Sequence, residues 1–407
     1  MSNQSNSALP VPDAIAQAIS SELTQRLLRS AASAPIPFSG YMQRCLYEPG
    51  LGYYMAGSSK FGPEGDFVTA PEVSPLFGAC LAEQCTEVLA VTGGGVMEMG
   101  AGSGRLALSL IRQLDEAHWT HYWIVEPSAD LQQRQRELLS SLLSDSIMDK
   151  VQWLDRLPSE FTGVVLANEV MDALPVDRIV RTEAGFEVEA VVPSDEAEHG
   201  LGMKDLPSSA LPQDEEARLD AAMAHIENDL GAQLAVGYRT ELSQLLSPWI
   251  HSLANVLQYG VLLLIDYGYP RREYYSDERH DGTLQCFFRH HAHNDVTFWP
   301  GLQDITAHVD FTAVIEAGDA AGLELLGYTA QAPFLFGCGL QDLATQQSAV
   351  WNARDTDSTA GRIQQQQAIN RLTLPGEMGE RFQVMALGRG LDRSLKGFSL
   401  LDLSRRL

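Results

Sequence analysis

Two short stretches of the sequence carry residue types that could do chemistry together. In "VMEMGAGSGRLALSL" (96–110), Gly100, Gly102 and Gly104 alternate between an apolar run and a helix-like run, and Glu98 stands two residues ahead of them. In "GVVLANEVMDALPVDR" (163–178), an apolar run closes on Asn168 and Glu169, with Asp172, Pro175 and Asp177 behind. Glycine is required where a backbone turns sharply or lets a ligand approach without a Cβ in the way. Paired polar groups at the carboxyl end of a strand face the crevice where α/β sheets bind ligands.

The glycine spacing narrows the ligand. Arg105 stands where a dinucleotide fingerprint carries its third glycine, and no Lys-Ser or Lys-Thr follows to cradle a phosphate. Glu98 is poorly placed beside a pyrophosphate but well suited to a cation. S-adenosylmethionine carries a sulfonium and an ammonium and no phosphate, so it is the expected cofactor. Glu98, Gly100, Gly102 and Gly104 would admit its amino-acid end, Glu126 at the end of "HYWIVE" its ribose diol, and Asp155 after "VQWL" its adenine edge. No metal is expected.

Asn168 and Glu169 are then the candidates for holding a nitrogen nucleophile against the transferable methyl. A guanidinium is a planar fork that matches a carboxylate, and it is protonated in water. Glu169 would localise its charge and a neighbouring carboxylate such as Asp172 would take the departing proton. His308, in "DITAHVDF", is a further candidate for contacting substrate or moving a proton, or else a residue of a capping loop. The cluster Cys286, His290, His291 and His293 fits no standard zinc spacing.

Positioning these residues needs a particular frame. From residue 96, short apolar runs alternate with helix-like segments: strands at 95–100, 121–128, "KVQWLD" and "GVVLANE", with helices at 105–114 and 131–143 between them. This rhythm implies parallel strands covered on both faces, an α/β fold of the class I, Rossmann-like kind. It breaks over 183–239, read as a hairpin at "GFEVEAVV" plus an exposed insertion, and resumes with a helix from "TELSQLL" and the strand "GVLLLIDYG". A helix and strand in 309–331, a Gln-rich helix near 362–372 and a strand in 381–390 complete it. The expected domains are a helical and loop-rich extension (1–90), the first part of the core (91–182), an insertion (183–239) and the rest of the core (240–407). Within the extension, 14–32 reads as a helix with Ile15, Ile19, Leu23 and Leu27 on one face, and 35–78 as a loop-rich run whose aromatics could wall a lid.

Composition sets outer bounds. The 407 residues include 53 acidic against 28 basic, a net charge of -25, which argues against sequence-independent attraction to nucleic acid. Five cysteines without a CxxC pair read as reduced thiols. The N-terminus has no signal-like pattern and the longest apolar run is far too short for a bilayer, so a cytoplasmic protein is expected.

The chain also resembles the MidA-like methyltransferases, whose mitochondrial member is the arginine methyltransferase that assists assembly of respiratory complex I. "GYY" (52–54), "GDFVTAPEVSPLFG" (65–78), "MEMGAGSGRLA" (97–107), "ANEVMDALPV" (167–176), "IDYGYP" (265–270) and "GLQDITAHVDFTAV" (301–314) look like its motifs in order. One departure is Val170 and Met171, where some relatives carry two aromatics. The resemblance implies a seven-stranded methyltransferase sheet, S-adenosylmethionine as cofactor and a protein arginine as acceptor, with Glu169 in the guanidinium-binding position. It also implies that Asp66 and Thr69 close over cofactor or substrate. The partner implied is a protein carrying the target arginine, without nucleic acid or a membrane span, and a homodimer is left open. A small-molecule N- or O-methyltransferase, and an assembly factor that binds the cofactor without turnover, are the competing readings.

Overall fold

The computed structural model of the chain describes residues 9–56, 69–197, 199–353 and 358–407. They group into two compact units: 1–68 with 173–243 and 275–307, and 69–172 with 244–274 and 308–407. These divisions fall at other residues than the expected 90, 182 and 239. The helix that precedes the glycine turn packs with the core, and Asp177–Thr182 pairs with strands beyond it.

The second unit holds the parallel sheet. Its strands are β1 (Gly95–Met99), β2 (Tyr122–Val125), β3 (Val151–Leu154), β4 (Phe161–Asn168), β5 (Leu257–Tyr269), β6 (Glu324–Ala330) and β7 (Phe382–Arg389). They lie in the order β3-β2-β1-β4-β5-β7-β6, with the two-residue strand Val309–Asp310 added beside β5. β1 to β5 run parallel, and β7 runs antiparallel to both β5 and β6. This is the class I methyltransferase sheet. All five residues of β1 are buried, as a strand covered on both faces requires.

Local sequence sets the helices that cover it. α1 (Pro75–Thr92) starts where the Ser74 hydroxyl accepts the Leu76 N–H at 3.2 Å and Pro75 fills the first turn, and it stops at Gly93 with φ 64°. It buries Phe77, Leu81, Cys85 and Val88 in the same core as Val96, Leu110 and Leu263. At roughly 1.5–3 kcal/mol for each large apolar side chain removed from water, this packing and not helix propensity holds α1. α2 (Arg105–Gln113) leaves the glycine turn directly, and α3 (Ala129–Leu142) follows β2 with Ser128 capping Leu131 N–H at 3.4 Å. α4 (Leu246–Val256) precedes β5, and α5 (Phe311–Ala320) is capped by Asp310, which accepts from Thr312 and Ala313 N–H at 3.0 and 3.2 Å.

The first unit is built on an antiparallel sheet of Ile36–Pro37, Gly185–Pro193, Asp177–Thr182 and Arg239–Leu242, with Leu201–Pro207 added to Gly185–Pro193. The hairpin at "GFEVEAVV" is present, but the insertion is folded: a further strand and the helix Gln213–Leu230 follow. Residues 240–242, expected at the start of a helix, lie in the strand Arg239–Leu242 instead. There Glu241, buried, accepts the Thr283 N–H at 2.7 Å while its strand pairs with Asp177–Val180. Arg178 and Arg239 converge on Glu189 at 2.5 and 3.1 Å, and Arg239 reaches Asp205 at 2.8 Å.

Residues 38–47, expected in a loop, form a helix. Phe38, Tyr41, Met42, Cys45 and Leu46 are buried at helical spacing, a pattern hidden by the Gly and Pro around it. The preceding helix Ala14–Ala31 buries Ser20, Leu23, Leu27 and Ala31, whereas Ile15 is 76% exposed. Tyr47 and Tyr54 donate to Ala173 O and Asp304 Oδ1 at 3.0 and 2.9 Å, so the aromatics described here anchor this unit.

Candidate active site

The carboxyl ends of β1, β2 and β4 bring most of the predicted residues together. Met99 of β1 is in register with Val125 of β2 and Ala167 of β4. Gly100 therefore leaves β1 beside Asn168, and a Cβ added to Gly100 would stand 3.5 Å from Val170 Cγ2. Gly100, Gly102 and Gly104 have φ of 61°, 52° and 79°, the left-handed region that favours glycine. The turn is thus built on the three positions that the spacing singled out.

Two side chains with no role evident from the sequence brace this turn. Gln135 of α3 donates to Gly102 O at 2.9 Å and to Glu126 Oε2 at 3.3 Å, and accepts from Trp153 Nε1 at 2.9 Å. Glu72 accepts the Ser103 hydroxyl at 2.5 Å through one oxygen and pairs with Arg105 Nε at 2.7 Å through the other. Glu72 lies in "PEVSPLFG", where the sequence shows its acidity but not its partners.

Glu98 and Glu126 are both buried, at 2% and 4% exposure. Glu98 accepts the Tyr122 hydroxyl at 2.5 Å. Burial pushes its carboxyl up to about 7, the Tyr122 hydrogen bond opposes this, and the Glu126 charge adds to it. Glu126 Oε1 accepts the Ser128 N–H at 3.0 Å, and its main chain bonds to Leu154 across β3. Asp155 follows β3 and is exposed. Thr69 stands at the start of Ala70–Val73 without a side-chain capping bond, and Asp66 lies outside the described residues.

At the end of β4, Glu169 has φ 53°, unusual for a residue with a side chain. Its N–H donates to Ile265 O at 2.9 Å, and its Oε1 accepts from Asn168 Nδ2 at 3.1 Å. Asn168 Oδ1 is buried and has no hydrogen-bond partner among the described residues. Asp172 is buried and accepts the Tyr267 hydroxyl. Asp266, in "IDYGYP", is fully buried beneath this segment. Burial first, then the charges of Asp172 and Glu169, hold its carboxyl well above the usual range. His308 sits against the rings of Tyr267 and Tyr269, at centroid distances of 5.3 and 5.4 Å. The adjoining Asp310 pairs with Arg271 at 3.0 Å.

A cavity of about 490 Å³ in the same unit borders the Glu72–Arg105 pair, and none of the strand ends' carboxylates lines it; residues of α1, α2 and the helix Leu340–Ala353 form most of the rest of its wall. The strand ends, not this cavity, carry the groups that suit the expected cofactor. A left-handed glycine cradle admits a close-lying main chain, and two buried carboxylates beside it suit a ligand with a cationic end and a diol.

Residues 80–329 match the family described as "Putative S-adenosyl-L-methionine-dependent methyltransferase". The chain is 28% identical to the mitochondrial protein arginine methyltransferase NDUFAF7 of Danio rerio, over 90% of this chain and 88% of that protein. It is likewise 28% identical to the Drosophila melanogaster homolog, over 88% and 83%. A crystal structure of a Burkholderia thailandensis protein bound to S-adenosyl-homocysteine is 40% identical and superposes with a TM-score of 0.88, over 98% of this chain and 100% of that one.

Proposed function

We propose that this chain, which belongs to the family of S-adenosyl-L-methionine-dependent methyltransferases, methylates arginine in a protein. S-adenosylmethionine is its cofactor, and when bound it supplies an electrophilic methyl group. The rest is the work of the chain. Gly100, Gly102 and Gly104 admit the amino-acid end, Glu98 favours its positive charge, and Glu126 accepts from the ribose diol. Asp155 would border the adenine, and Thr69 would close over the site.

The observation that carries the acceptor assignment is the pair at the end of β4. Asn168 Oδ1 is a buried acceptor without a partner among the described residues, a cost of about 1–3 kcal/mol that an incoming N–H donor removes. Beside it, Glu169 presents a carboxylate, and Asp172 and Asp266 add acidic groups behind. A guanidinium supplies both the donors and the positive charge. Glu169 orients it and draws charge away from the attacking nitrogen, Asp172 takes the proton released as the new N–C bond forms, and His308 flanks the acceptor. The names of the curated relatives support a protein arginine as acceptor.

We place this activity in a reducing compartment, the cytoplasm of a bacterial-type cell; the five cysteines, all buried and free, support that setting. The relatives are mitochondrial by name, and among the described residues no helix is long and apolar enough to cross a membrane. Tritium-labelled S-adenosylmethionine with an extract of cells lacking the chain tests the acceptor. Label in acid-precipitable protein, released as methylarginine on hydrolysis, is expected. Label confined to small metabolites would instead assign a small-molecule methyltransferase, and cofactor binding with no transfer an assembly factor.

A further inference from the structure

We infer that Asp266 is the positioning residue that fixes Glu169 for the acceptor. The assignment rests on the reading of Glu169 as the acceptor-side carboxylate. Ile265 of β5 is in register with Asn168 of β4, so Asp266 comes level with the point where the chain leaves β4. There Glu169 adopts φ 53°, a conformation that costs a residue with a Cβ and that persists only where its surroundings impose it. The next three residues belong to neither a helix nor a strand, so their N–H groups have no regular partner.

Asp266 supplies one. Its Oδ2 accepts the N–H groups of Val170, Met171 and Asp172 at 3.2, 2.9 and 3.2 Å, and its Oδ1 accepts the Tyr267 N–H at 3.0 Å. Three consecutive donors converging on one oxygen curl the main chain around a point and fix the direction in which Glu169 emerges. The Ile265 carbonyl holds Glu169 N–H from the same strand at 2.9 Å. β5 thus clamps the turn on both sides of the Glu169 side chain. Asp172, the last donor, is also tied to β5 through the hydroxyl of Tyr267. Asp266 itself is fully buried, so it acts on the acceptor only through this turn.

The test compares Asp266→Asn and Asp266→Ala in the full chain. Asparagine keeps one oxygen for the three N–H groups but turns an NH₂ toward the Tyr267 N–H; alanine removes every acceptor. S-adenosylhomocysteine affinity, measured by calorimetry, is expected to stay within about threefold of wild type, because the glycine turn is braced separately. Tritium transfer into extract protein at saturating S-adenosylmethionine is expected to fall about 100-fold in Asp266→Ala and about tenfold in Asp266→Asn, the ordering expected of a lost positioning group. Hydrogen exchange at the amides of 170–172, with S-adenosylhomocysteine bound, is expected to accelerate at least tenfold in Asp266→Asn while β1 and β4 stay protected. Wild-type transfer rates in Asp266→Asn and Asp266→Ala would overturn the inference, as would losses of transfer and S-adenosylhomocysteine affinity in equal proportion. Should Asp266→Ala not fold, Asp266→Asn decides alone. Should the wild type transfer no label to protein, the acceptor reading fails by itself. The exchange measurement then decides the clamp: acceleration confined to 170–172 supports it, and unchanged exchange overturns it.

Discussion

Glu98 offers a prediction that can be worked through from the structure. Its carboxyl is 2% exposed and is pushed up to about 7 from an ordinary 4.5, chiefly by burial. The folded chain therefore holds a proton on Glu98 that the unfolded chain releases at lower pH. The stabilising contribution is complete below about pH 4.5 and is lost as pH rises through about 7. A displacement of this size corresponds to roughly 3 kcal/mol in full, of which about 2 kcal/mol falls between pH 5.5 and 8.5. Glu98→Gln keeps an acceptor for the Tyr122 hydroxyl and cannot ionise. Urea unfolding of both proteins across that range isolates the residue, because every other titrating group cancels in the difference. The wild type is expected to lose about 2 kcal/mol relative to Glu98→Gln as pH rises from 5.5 to 8.5. The same carboxyl should ionise when a cation arrives, so S-adenosylmethionine binding near pH 7 should release up to about half a proton in wild type and none in Glu98→Gln. Calorimetry in buffers of different ionisation enthalpy reads this release. A stability difference that is flat with pH would refute the reasoning: Glu98 would then be charged in the fold.

Other expectations follow from the same geometry. Glu169→Gln should bind S-adenosylhomocysteine as the wild type does by calorimetry, yet lower tritium transfer to protein by about 100-fold or more. Glu72→Ala frees both Ser103 and Arg105, so S-adenosylhomocysteine affinity should fall about tenfold, with only a small change in the urea midpoint. Gly104→Ala places a Cβ at φ 79° and 3.3 Å from Gln135 Cγ; it should cost about 1–2 kcal/mol in urea unfolding and weaken cofactor binding in parallel. Leu23→Ala, in the buried face of the first unit, should cost about 2–5 kcal/mol in urea unfolding with cofactor affinity unchanged.

The parallel core was legible because its signals are local. Short apolar strands, a glycine turn and a polar strand end each depend on a few neighbouring residues, and the structure has Gly100, Gly102 and Gly104 in the turn after β1 and Asn168 and Glu169 at the end of β4. What the sequence hid depends on partners distant in the chain. Asp266 read as one acid in a tyrosine-rich motif until β5 brought it under residues 170–172. Glu72 became a brace only once Ser103 and Arg105 lay beside it. Helix 38–47 was obscured by the Pro and Gly around its apolar period, and strand 239–242 by the longer helical pattern that follows it. The acid Glu98 stands out in the sequence for its charge, whereas the fold buries it, and burial holds back that charge against the hydrogen bond from the Tyr122 hydroxyl.

The account stands on a methyl donor seated in the glycine turn and a protein arginine held by Asn168 and Glu169 one strand away. Quantitative mass spectrometry of methylarginine in cells lacking this chain, restored with either wild type or Glu169→Gln at equal abundance, addresses both halves at once. One or more methylarginine sites should vanish without the chain, return with wild type and stay absent with Glu169→Gln. A methylarginine profile identical in all three strains would contradict it.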